Sequence, residues 1–109
     1  MPARVELIGH LGQMETAMGE LKRWYERITI STEKAQMTPE VTMLNARLSE
    51  ANLLYLKTGH LLETVQRFDT TQDLSWFHLQ AQVDSLRTKV DRALFTQYSL
   101  PEVTANRAQ

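Results

Sequence analysis

Three histidines, His10, His60 and His78, are the residues of this chain best suited to metal or acid–base chemistry. A zinc site on one helix places two ligands three or four residues apart, so that both side chains reach one ion. None of these histidines has another histidine at that distance, and the chain has no cysteine. The Glu-x-x-His unit of di-iron bundles does not occur either. His10 follows Glu6 by four residues, a helical neighbour pair that reads as surface decoration. The expectation is therefore no metal, no cofactor and no small-molecule substrate.

The candidate nucleophiles are Ser31, Ser49, Ser75, Ser85 and Ser99. A serine nucleophile needs a nearby base and a strained turn to present it. These serines fall in helical or polar turn segments without that setting. No segment reads as a strand, so no glycine-rich phosphate loop follows one. The chain is expected not to be an enzyme.

Two basic clusters remain: Lys22, Arg23, Arg27 and Lys34, then Arg87, Lys89 and Arg92. Both are interleaved with acids. Twelve basic residues stand against thirteen acidic ones, a net charge of −1. A general nucleic-acid binder is usually strongly basic. A small helical subunit that contacts nucleic acid inside a larger ribonucleoprotein or DNA-binding complex is the alternative reading.

Whatever these residues do, helices must position them. Leu7, Leu11, Met14, Met18, Leu21, Tyr25 and Ile28 alternate at spacings of four and three. In an α-helix that rhythm gathers them on one face, the seam along which helices pack. Val41, Leu44, Leu48, Ala51, Tyr55, Thr58, Leu62 and Val65 repeat it, with Thr58 as the polar interruption. Trp76, Leu79, Val83, Leu86, Val90 and Ala93 repeat it again, with Leu94 on the flank. Thr38-Pro39-Glu40 marks the second start, because threonine caps and proline suits the first helical position. Thr70 and Asp73 resemble a capping box before the third helix. Pro101 closes it. The run Thr29-Ile30-Ser31-Thr32 weakens the end of the first.

The predicted fold is all-α: an antiparallel three-helix bundle with coiled-coil-like packing and helices at about 3–32, 39–68 and 72–98. Residues 1–98 form one domain, and 99–109 are expected to be a flexible tail. At 109 residues and 42 % apolar composition, one thin core is what the chain can build. Without cysteine it depends on packing alone. No stretch approaches the eighteen or so apolar residues of a membrane span. The beginning, Met1-Pro2-Ala3-Arg4-Val5-Glu6, lacks a signal peptide's basic start and apolar block. A cytoplasmic location is expected.

Function is sought where the pattern breaks. Gly9, Gly12, Thr16 and Gly19 are spaced to lie on the outward face of the first helix, where bare backbone lets another helix approach. Leu53 and Leu56 lie outside the second seam, with Leu54, Leu61 and Phe68 on its flank. Phe77, Phe95 and Tyr98 lie outside the third. A contiguous apolar patch marks an interface. The expected role is a protein–protein interaction module: an adaptor, a chaperone, an inhibitor or a small subunit of an assembly. Its partner is another protein or a second copy of itself. The partner surface is assigned to Leu53, Leu56 and His60, with Gly12, Thr16 and Gly19 as a further face. Trp24 and Trp76 should cap opposite ends of the bundle, rings buried and N–H groups wet.

Overall fold

The computed structural model describes residues 4–33, 38–68 and 74–97, with side chains in the first segment described through Ile30. Three helices fill these segments: α1 (Arg4–Glu33), α2 (Pro39–Arg67) and α3 (Leu74–Thr96). There is no strand among the described residues. The all-α three-helix bundle is therefore the fold of this chain. The expected tail at 99–109, Tyr98 and the Thr70–Asp73 capping box lie outside the described residues.

The start of α2 follows from its caps. The Thr38 hydroxyl accepts a hydrogen bond from the Val41 amide at 3.3 Å, and the Thr38 carbonyl accepts from the Thr42 amide at 3.0 Å. Pro39 needs no such partner, because it has no N–H. Glu40 adds a negative charge at the positive helix end. At the other end the Phe68 amide donates to the Val65 carbonyl at 3.2 Å, and the Phe68 backbone turns extended. In α1 the β-branched run does not stop the helix. Thr29 is buried within it, and Ile30 points to solvent, 65 % exposed.

The α1 seam from Leu7 to Tyr25 is buried throughout, and Ile28 is half-buried. All six members of the α3 seam are buried. In α2 the buried line is Val41, Leu44, Ala51, Leu54, Thr58 and Val65, while Leu48, Tyr55 and Leu62 are half-buried. Leu54, placed on the flank by the spacing, is core at 3 % exposure. Thr58 is tolerated at full burial because its hydroxyl donates to the Leu54 carbonyl at 2.6 Å. A buried hydroxyl without a partner would cost about 1–3 kcal/mol.

α1 and α2 run antiparallel at close range, and their glycines explain how. A Cβ added at Gly19 would sit 3.2 Å from Tyr55 Cε1, and one at Gly59 would sit 2.8 Å from Glu15 Oε2. The two opposed pairs, Gly19 with Tyr55 and Glu15 with Gly59, show the antiparallel register. Gly19 is thus buried beneath a tyrosine of α2. Its expected place on an outward face is corrected: the helix that uses its bareness is the chain's own. α3 runs parallel to α1 and antiparallel to α2, and it packs less extensively on either than they pack on each other.

The bundle ends are aromatic. Phe68 and Trp76 rings lie 5.4 Å apart at one end. Trp24 and Tyr25 lie 5.2 Å apart toward the other. There the Arg47 Nη1 donates to the Thr96 carbonyl at 3.3 Å, tying α2 to the last turn of α3. The two indoles do sit at opposite ends. The Trp76 N–H is not wet, however. Its side chain is wholly buried, and Nε1 has no hydrogen-bond partner. The molecule measures 54 × 21 × 16 Å.

Candidate interaction groove

The loose seating of α3 leaves a gap between α2 and α3, and the candidate site lies there. Its main hollow, about 580 Å³, is floored by Leu56, Leu61 and Leu86 and edged by Lys57, His60 and Lys89. A second hollow of about 290 Å³ continues the same gap toward the Arg47 end, between Met43, Glu50 and Arg92. Opposed residues keep one antiparallel register along it. Thr64 and Leu61 lie near Gln82 and Ser85, and Arg47 bonds Thr96.

Heptad spacing recurs in the walls of this gap. On α2 the sequence Met43, Ala46, Glu50, Leu53, Lys57, His60 and Thr64 steps by three and four. All but Leu53 line the two hollows. On α3, Gln82, Ser85, Lys89, Arg92 and Thr96 step the same way and all line them. Each helix therefore carries a second stripe, beside its core seam, turned toward a space that no helix among the described residues fills. The α2 stripe mixes apolar residues with one acid, Glu50, one base, Lys57, and the polar His60 and Thr64, and the α3 stripe is polar and basic.

Of the residues singled out from the sequence, Leu53 and Leu56 are 51 % and 59 % exposed, and His60 is exposed. The structure brings Leu56 and His60 together in the main hollow, with Leu53 one turn away on the same stripe. Gly12 and Thr16 are not part of it. They lie on α1, where a Cβ at Gly12 would meet nothing within 4 Å and the exposed Thr16 hydroxyl donates to the Gly12 carbonyl at 3.0 Å. Gly19 belongs to the α1–α2 contact. Leu61, Leu86, Lys57, Lys89 and Arg92 were not combined with Leu56 by sequence reasoning. The missed signal was the second three-four stripe on α2 and α3, offset from the seam.

A further hollow and other exposed apolar residues lie outside the groove. The α1–α3 hollow, about 220 Å³, sets Arg87 beside Asp91 and His10 beside Gln13, with no excess of one charge. Leu74, Phe77 and Phe95 are exposed on α3, Val5 and Ile30 on α1. No group of three or more His, Cys, Asp or Glu residues among the described residues is placed to hold a metal ion. No helix among them is long and apolar enough to cross a membrane.

Among the described residues, the one titration set apart by its surroundings is structural. Burial raises the Tyr25 phenol above its ordinary value of 10.0. The Arg47 charge and its hydrogen bond pull the other way, and Glu50 adds to the rise. This cluster ties α1 to α2 beside the end of α3. Comparison with protein-family models, with curated proteins and with solved structures returns no match to this chain.

Proposed function

We propose that this protein is a non-enzymatic protein–protein interaction module of the cytoplasm, an adaptor, chaperone, inhibitor or small assembly subunit, that works through the open α2–α3 groove. The observation that carries this reading is the floor of that groove. Leu56, Leu61 and Leu86 line a hollow of about 580 Å³ that opens on the surface, and Leu53 extends the apolar strip by a turn. Helix-in-groove recognition uses this kind of surface: apolar anchors along one line and charges on both banks. The partner is another protein or a second copy. Gly12 and Thr16 offer a second, smaller face on α1.

The test compares a surface leucine with a core one. Leu11 is fully buried, and Leu11→Asp would bury an unpaired charge and unfold the bundle. Leu56→Asp is expected to keep helicity and melting near wild type while removing whatever co-purifies with the tagged chain, or the dimer mass if the partner is a second copy. A Leu56→Asp variant that unfolds like Leu11→Asp, or that keeps every partner, rejects the groove.

A nucleic-acid-lining subunit is the second reading, favoured by the placement of Lys57, Lys89 and Arg92 on one groove. It predicts binding of a single-stranded RNA or duplex DNA that weakens steeply with salt.

A further inference from the structure

We infer that the occupant of the α2–α3 groove is an acidic amphipathic helix of a partner protein, which docks as the fourth helix of a bundle. The inference rests on the groove being the interaction surface and adds what fills it.

The first argument is charge. The whole chain is close to neutral, with one acid more than its bases. The groove is not. Among the described residues, Arg47, Lys57, Lys89 and Arg92 line it against a single carboxylate, Glu50. Lys57, Lys89 and Arg92 are all exposed, so a ligand can reach their charges from solvent. A groove that carries four of the chain's twelve cations beside apolar residues is complementary to a ligand with carboxylates beside an apolar stripe.

The second argument is shape. The two wall stripes run from Met43 to Thr64 on α2 and from Gln82 to Thr96 on α3, at heptad spacing on both. From 43 to 64 is about 30 Å and from 82 to 96 about 20 Å at 1.5 Å per residue, so the two walls face each other over a helix length of about 14 residues. Paired stripes at that spacing are what a further helix packs against in a four-helix bundle. The apolar floor separates this from a nucleic-acid site. A phosphate backbone takes cations and polar groups, and Leu53, Leu56, Leu61 and Leu86 offer it nothing.

The occupant's pattern follows. Its apolar residues recur at i, i+3 or i+4, and i+7, and its flanks carry Glu or Asp opposite Lys57 on one bank and Lys89 and Arg92 on the other.

The experiment uses the full chain and two labelled peptides of about three heptads. Both carry leucine at the a and d positions. One has glutamate at every e and g position, the other lysine, so that neither pairs with itself. Fluorescence anisotropy is expected to show the acidic peptide bound about tenfold or more tighter than the basic one, with the gap narrowing as salt rises. Lys57→Glu with Lys89→Glu, both on exposed positions, is expected to reverse the preference with the circular dichroism unchanged. Equal binding of both peptides, lost with Leu56→Asp, overturns the acidic helix and leaves the groove reading standing. Binding of neither peptide by a folded chain overturns both. Binding of a single-stranded RNA 20-mer that the same charge reversal removes, with the acidic peptide ignored, overturns the inference in favour of nucleic acid.

Discussion

At the scale of single residues, the four glycines divide into two kinds. Gly9 and Gly12 face open space, whereas Gly19 and Gly59 face α2 and α1 respectively. Helical glycine costs up to about 1 kcal/mol against alanine. Gly9→Ala and Gly12→Ala are each expected to stabilise the chain by about 0.5–1 kcal/mol and to raise Tm by about 2–5 °C. Gly19→Ala gains the same propensity but must displace the Tyr55 ring, so it is expected to be neutral or destabilising. Thermal melts of the three variants check this, and a Gly19→Ala gain equal to that of Gly12→Ala would contradict the Tyr55 contact. Tyr25 supplies a pH dependence. Its folded value lies above the unfolded one, near 10.0. The unfolded chain therefore gives up this proton first as pH rises. The contribution of Tyr25 is at full strength below pH 10 and declines as the pH climbs through the folded value. Urea midpoints of wild type and Tyr25→Phe should keep a constant gap between pH 7 and 9 and draw together above 10. A gap that widens there has the wrong sign.

At the scale of elements, α1 and α3 were legible because their buried faces follow one stripe each, from Leu7 to Tyr25 and from Trp76 to Ala93. α2 was legible in its ends and in most of its face, where Val41, Leu44, Ala51, Thr58 and Val65 are buried, but Leu54 was set on the flank. A strict heptad places one seam on a helix, but an element with two neighbours must bury both flanks of that seam. Leu48, Tyr55 and Leu62 flank it on the α1 side, where Tyr55 meets Gly19. Leu54 and Leu61 flank it on the α3 side, and Leu54 is the more deeply buried of the two. The groove itself was not legible, because it depends on how far apart two helices stand. That distance is set by what fits beneath them, and glycine lets α1 and α2 close while no glycine serves α3. Looser seating has a measurable result. Backbone amides of Leu79–Val90 are expected to exchange with solvent faster than those of Leu11–Leu21 or Leu54–Val65. Slower exchange in α3 than in the other two would show that it is the anchored element.

At the scale of the whole molecule, the chain is a rod. Its radius of gyration is 16.6 Å, where a globular chain of this length has about 13 Å. α1, with 30 residues, is about 45 Å long and supplies most of the 54 Å axis. A helix docked beside α2 and α3 thickens the rod without lengthening it. Small-angle scattering of the chain with the acidic peptide should show an enlarged cross-section and a maximum dimension that stays put. A lengthened particle would mean end-to-end association instead. The two opposed pairs, Gly19 with Tyr55 and Glu15 with Gly59, act on this rod as a detent. Slide α2 one turn in one direction and the two glycines meet across a void. Slide it the other way and the tyrosine ring is driven against Glu15. These pairs favour one axial phase of the hairpin, and the heights of Leu56 and Lys57 against α1 follow from it. A bulkier residue at position 19, on the far side from the groove, would press on the Tyr55 ring and so carry the α2 bank with it along α1.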